Sequence, residues 1–411
     1  MLSILSLVSA KLCVMSKEWG ERNNYLYEVK ILSYLIDIYT ILKQDSKMKY
    51  FYLLGHCPDL SEAEYLSVTG DTNYERLGDY LISDTLIDVN LTGSLVMGGE
   101  IIGTSQKPAE LIEQIEVYLS ENKVREIGLN INQISKNQLY EVSKNFCKRV
   151  NIINVLPNFG HWKSTNNWLI TIFTNKTLYL VRLNSYSDQG FWNTLDTSIP
   201  CLDMSRGIIN LKLGRSLLNL TKSQTIWDPF VGQGRIPIAG VDIKSKFLSS
   251  DMDESVIKDL EKNYKFANHF WSRQRFNKIV TEKIAEIEPP FVCDVTTFNN
   301  SENLDLTDTS IATEGFLGKN FKSQPDERDV KMQSKFVSEM WIKFFDNIKD
   351  SPIKEVVGCL PFYPNFDLPN YDFLTKLEGF EQVELLPDMK FIEYSRAKTF
   401  VGHLIFKVVR K

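Results

Sequence analysis

Fifteen residues, Thr225 to Ala239, restrict what this chain can fold into more than any other stretch. Thr225-Ile226-Trp227-Asp228 reads as a buried strand, Pro229-Phe230-Val231-Gly232-Gln233-Gly234 as a tight loop, and Arg235 onward as a helix. Gly232 and Gly234 let backbone come close to a ligand, and the helix that follows turns free N–H groups toward it. The loop opens on an acid and lacks the third glycine of a G-x-G-x-x-G fingerprint. A carboxylate there would repel a pyrophosphate but suits the ammonium group of an amino-acid-bearing cofactor. S-adenosylmethionine is such a cofactor.

Two further acids fit this assignment. Phe247 to Asp253 reads as a second strand ending in acids, and Asp251 lies twenty-three residues after Asp228, placed to accept both ribose hydroxyls. Pro290-Phe291-Val292-Cys293 reads as a third strand, followed by Asp294, placed to accept from an adenine amino group. Each acid alone is more often a turn or cap residue. Three of them at three successive strand ends predict a cofactor site made of Asp228, Phe230, Gly232, Gly234, Asp251 and Asp294. Strands alternating with helices from Thr225 onward predict an α/β Rossmann-like domain with a parallel, doubly wound sheet.

Composition narrows the remainder. The 411 residues are 43% hydrophobic and 24% charged, enough for two or three globular units. Six scattered cysteines with no C-x-x-C pair, and four scattered histidines, predict neither a metal site nor a disulfide framework. A nucleic-acid enzyme usually displays a basic footprint, so the net charge of −5 weighs against RNA rather than for it. No apolar run reaches the roughly 18 residues of a membrane helix, and the apolar start at Met1 to Met15 lacks a preceding basic residue. A cytoplasmic protein with no membrane partner is expected.

Residues 1–47 read as a helical N-terminal extension, 48–105 as an α+β lobe, 106–190 as a second α+β lobe, and 191–411 as the Rossmann-like domain. Within the lobes, Ser61 and Glu64 have the spacing of a capping box at a helix start. A helix is predicted over Lys136 to Arg149, and a hairpin turns at Asn175-Lys176. Another helix is predicted over Gly207 to Leu220. Lys319 to Lys335 shows no clear period and reads as a mobile loop, a lid beside the site.

Asp228-Pro229-Phe230-Val231-Gly232-Gln233-Gly234 looks like the first motif of amino-methyltransferases. Residues 49–411 as a whole resemble the THUMP-containing tRNA guanosine-2-amino methyltransferases. The resemblance also draws on Tyr52 to Glu64, on Asp188-Gln189 and the Leu211 to Leu220 helix, and on Tyr394-Ser395-Arg396 with Val401-Gly402. It implies a THUMP-like RNA-binding lobe over 106–190 and methylation of an exocyclic base amine, that of guanosine in tRNA. An activating protein subunit is left open alongside tRNA.

That family places an Asp/Asn-Pro-Pro-aromatic loop after the fourth strand. Here Thr313-Glu314-Gly315-Phe316-Leu317-Gly318 falls at that point, with neither proline. One reading has Glu314 hold the target amine, Thr313 and Gly315 add backbone acceptors, and Phe316 stack on the base. A second has the site inactive on a scaffold that still binds RNA. A third moves the base to Leu360-Pro361-Phe362-Tyr363-Pro364, which otherwise reads as a simple strand exit. An adenine-amino DNA methyltransferase, which shares the motif order, is a further alternative. Thr399 and His403 depart from the glutamine and arginine that the family tends to carry near the end.

Overall fold

The computed structural model describes residues 48–131, 133–152, 167–203, 208–276, 285–298, 304–319, 321, 323–396 and 399–411. The helical extension expected over 1–47 lies outside them. The first half comprises β1 (Tyr50–Leu53), α1 (Pro58–Thr69), β2 (Tyr74–Leu77), β3 (Tyr80–Ser83), β4 (Met97–Ser105) and α2 (Pro108–Asn122). It continues through β5 (Glu126–Asn130), α3 (Lys136–Lys144), β6 (Arg149–Ile152), β7 (Trp168–Thr174) and β8 (Thr177–Tyr186). These strands make one sheet in the order β2-β3-β1-β4-β8-β7-β5-β6, so strands of both predicted lobes pair side by side. The β7–β8 hairpin turns at Asn175 and Lys176 as predicted, both with positive φ (49° and 61°). That is the twist a two-residue hairpin loop requires.

Two local expectations are corrected here. The helix predicted over Lys136 to Arg149 stops at Lys144, and Arg149 opens β6 instead. Ser61 is no N-cap: Pro58, whose ring pre-sets helical φ and whose missing N–H costs nothing in a first turn, starts α1 earlier, behind Cys57. Ser61 and Glu64 therefore lie inside the helix, both fully buried. Ser61 Oγ accepts from Gly55 N–H, and the Glu64 carboxylate accepts from Gly93 N–H and Ser94 N–H.

The second half runs α4 (Gln189–Ser198), α5 (Leu211–Asn219), β9 (Thr225–Asp228), α6 (Arg235–Gly240), β10 (Lys246–Asp251) and α7 (Glu254–Phe276). Then come β11 (Glu286–Ile287), β12 (Phe291–Val292), β13 (Thr309–Ala312), α8 (Glu327–Ile348), β14 (Glu355–Phe362), β15 (Phe380–Gln382), β16 (Phe391–Tyr394) and β17 (Gly402–Arg410). The sheet order is β11-β10-β9-β13-β14-β17-β15, with β12 beside β10 and β16 beside β17. Strands β11, β10, β9, β13 and β14 are parallel, and β17 inserts antiparallel to β14. This is a Rossmann-like, doubly wound α/β fold.

Alternation along the strands separates two cores. Ile226, Phe247 and Ala312 face one side, packed with α5, α6 and α7; Trp227, Leu248 and Ile311 face the other, packed with α8. Part of the predicted lid is helix. α8 starts at Glu327, capped by Asp326, whose carboxylate accepts from Asp329 N–H. Its buried residues Val330, Val337, Trp341, Phe344, Phe345 and Ile348 keep helical spacing. Exposed Lys331 and Lys335 gave the first turns a polar look that hid the period.

The two sheets are joined through α1 and α5. Glu64 also accepts from Ser216 Oγ (3.1 Å) and Asn219 Nδ2 (2.6 Å) on α5. Its carboxylate is thus a buried node that satisfies backbone and side-chain donors from two segments, the Gly93-Ser94 turn and α5. Among the described residues no helix is long and apolar enough to cross a membrane.

Candidate active site

The order of the parallel strands reverses between β9 and β13, and a cavity of about 690 Å³ opens there at their carboxyl ends. Doubly wound sheets bind ligands at that place because the chain leaves neighbouring strands in opposite directions, parting the loops. Five carboxylates line the cavity (Asp228, Asp251, Asp294, Glu314, Glu339) against two cations (Arg235 and Lys343). Arg235 is turned aside: its Nε donates to the Ile209 carbonyl at 2.5 Å, and its guanidinium pairs with Asp196. The wall is therefore acidic and suits a ligand carrying positive charge.

Asp228 closes β9 at 1% exposure. Burial pushes its carboxyl up to about 7, and the charges of Asp251 and Glu314 act in the same direction. Hydrogen bonds from Thr313 and from Phe230 N–H (3.3 Å) oppose this. The loop beyond is held by Val231 N–H on the Ser250 carbonyl and by Gly234 N–H on the Val231 carbonyl. Gly232 has φ of 51°, its N–H donates to Asp251 Oδ2 at 3.0 Å, and a Cβ there would point into open space. Gly234, at φ of 81°, backs onto Leu260 and Tyr264, which leave no room for a Cβ. It shapes the loop from behind and does not line the cavity. Asp294 uses Oδ1 to accept from Thr296 N–H and Oγ1, a turn that fixes the carboxylate at the cavity edge.

On the opposite wall β13 leads into the altered loop. Thr313 is fully buried, and its hydroxyl bonds Asp228 and accepts from Gly315 N–H at 3.1 Å. It works behind the surface, fixing the loop against the acid. Gly315 has φ of 68°, and a Cβ there would lie 2.6 Å from Trp341. Proline, locked near −65°, has no access to that conformation, so this loop follows a path that a Pro-Pro loop does not take. Glu314 and Phe316 both line the cavity. Phe316 is 42% exposed and meets Phe336 edge-on at 5.9 Å, two aromatic rings at the mouth. Phe362 and Tyr363 are buried, and the Leu360–Pro364 segment lines no part of this cavity, as expected of a strand exit.

Two contributors escaped the sequence reading. His403 Nε2 lies 2.7 Å from Glu314 Oε1. The residues are 89 positions apart on β17 and the loop after β13, and only the β14–β17 pairing joins them. The departure noted at His403 was the available signal, without its partner. Phe336 directly follows the Lys319 to Lys335 segment that reads as a loop, and no motif marks it.

Neither a protein-family profile nor a curated protein matches the sequence. Among solved structures, similarity is found to a possible methylase from Clostridium difficile 630, with 12% identity over 89% of this chain and 98% of that one and a TM-score of 0.41. TYW2 of M. jannaschii, in complex with AdoMet, matches at 10% identity over 59% and 87%, with a TM-score of 0.30. TrmK of M. capricolum, in complex with S-adenosyl-homocysteine, matches at 11% identity over 50% and 70%, with a TM-score of 0.30.

Proposed function

We propose that this chain is an S-adenosylmethionine-dependent methyltransferase acting on an exocyclic base amine in RNA, with the guanosine 2-amino group of tRNA as target. The observation that carries the reading is the convergence of Asp228, Asp251, Asp294 and Glu314 on one acidic cavity at the strand-order reversal. In this reading Asp228 takes the ammonium of the cofactor's amino acid, Asp251 the ribose and Asp294 the adenine amine, and the reading is supported by all three lining one cavity with Phe230 and Gly232. When bound, the cofactor supplies an electrophilic methyl on sulfur.

The chain's own residues must then orient the amine and take its proton. A guanine 2-amino nitrogen is a weak nucleophile because its lone pair is delocalised into the ring. Glu314 accepts a hydrogen bond from that amine, which raises electron density on nitrogen, and receives the proton released as the N–CH3 bond forms. His403, bonded to Glu314 Oε1, fixes the carboxylate's orientation. Phe316 and Phe336 give a turned-out base two faces to stack on. The inactive-scaffold reading draws on one observation, the loop at Gly315; the acid set a cofactor needs stands against it.

The test is to incubate the protein with unmodified tRNA and methyl-labelled S-adenosylmethionine, then identify labelled nucleosides by mass spectrometry. Label in 2-methylguanosine that falls at least a hundredfold on Glu314→Ala is the expected result. Label in another nucleoside would overturn the target, and no label with tRNA bound would favour the scaffold.

A further inference from the structure

A second cavity, of about 380 Å³, opens between the two halves of the chain. The segment after β1, the Gly93-Ser94 turn, the start of α5 and the end of β16 enclose it. In a chain of net charge −5, no carboxylate lines it among the described residues, whereas His56, Lys212 and Arg396 all do. Lys212 and Arg396 are the two cations, and both act on the His56 imidazole. Burial first, and then the charges of Arg396 and Lys212, lower the His56 pKa; burial lowers that of Lys212, and the Glu64 carboxylate opposes this. Lys212 Nζ gives one hydrogen bond to Ser187 Oγ at 2.9 Å, and an ammonium has three protons to give. Ser94, Asn210 and Gln189 add neutral polar groups to the rim.

The nearest carboxylate, Glu64, stands behind the wall and is already engaged by Gly93, Ser94 and Ser216, so an anion entering the cavity would meet Lys212 and Arg396 directly. The chemistry here is that of a phosphate: an Arg fork, an ammonium and an imidazole around a space that fits one phosphodiester and part of its sugar. Tyr394 ties this cavity to the active site. Its ring meets His56 at 4.8 Å on one side and His403 at 5.9 Å on the other, and His403 holds Glu314. We infer that the cavity lined by His56, Lys212 and Arg396 is a phosphate site that clamps the RNA strand next to the nucleotide whose base enters the active site. The strand as its source rests on the function proposed above; the phosphate site itself does not.

The test uses the full chain and its Arg396→Gln and Lys212→Gln variants. Tyr394 and Ser187 are the only side-chain hydrogen-bond partners these two have among the described residues, and melting curves check that both variants fold. Affinity for an unmodified tRNA transcript is measured by fluorescence anisotropy from low to high KCl. The expected result is about tenfold weaker binding and a log–log salt slope shallower by about one for each variant, with S-adenosylmethionine binding unchanged. A second arm titrates inorganic phosphate and follows thermal unfolding. If the wild type ignores RNA but phosphate raises its melting temperature, and not that of the variants, the site stands and the RNA reading falls. If variants and wild type respond alike to both probes, the site is refuted.

Discussion

Asp228→Asn makes the strongest single demand on this structure. The carboxyl titrates near 7 when folded against 3.8 as an ordinary aspartate, because burial disfavours its charge. Between these pH values the folded state binds more protons than the unfolded one, so stability falls as pH rises through that window and levels off above it. About three pH units at roughly 1.4 kcal/mol each give a cost of about 4 kcal/mol at pH 8 and about 1.5 kcal/mol at pH 5, as upper bounds. Asparagine has nearly the same shape and no charge to bury. Asp228→Asn is therefore expected to be more stable than the wild type at pH 8, by up to about 4 kcal/mol, with the advantage shrinking by more than half at pH 5. On the function proposed above, the same substitution also removes the counter-charge for the cofactor's ammonium. Added S-adenosylmethionine should raise the melting temperature of the wild type and leave that of the variant where it was. Calorimetry at both pH values, with and without cofactor, reads all of this. Parallel pH curves for the two proteins would refute the buried, elevated carboxyl; a full cofactor shift in the variant would refute its assigned role.

Two further outcomes follow from the geometry. Glu64→Gln puts a donor among the N–H and O–H groups that now point at the carboxylate, and should cost about 3 kcal/mol or more in urea unfolding; a change under about 0.5 kcal/mol would show the node to be slack. Phe316→Ala and Phe336→Ala should each raise the KM for RNA about tenfold while leaving cofactor affinity alone, and unchanged RNA kinetics would remove both rings from base recognition.

The sequence was legible where one segment carries its own explanation. Thr225 to Gly234 announces strand, loop and helix through local chemistry, and the parallel alternation after it follows. Asp251 and Asp294 stand out in the sequence because strand ends recur at readable intervals, and both line the cavity. What stayed hidden depends on long-range pairing. His403 reaches Glu314 only because β17 lies antiparallel to β14, a neighbour relation with no trace in local pattern. Ser61 and Glu64 misled for the reverse reason. Their spacing imitates a local cap, while Pro58 had already begun the helix and tertiary partners had claimed both side chains. The first turns of α8 were read as loop because exposed lysines interrupt an apolar stripe that becomes plain only at Val337 and Trp341.

Glu64 also sets a timetable for the growing chain. Two of its partners, Ser216 and Asn219, follow it by 152 and 155 residues. At about 5–20 residues per second, synthesis needs on the order of ten to thirty seconds to cover that distance. Throughout that interval Glu64 has within reach the Gly93 and Ser94 donors, 29 and 30 residues on, but not the two from α5. The earlier half of the molecule is thus born with this node incomplete: the carboxylate gains its last donors only when α5 leaves the ribosome.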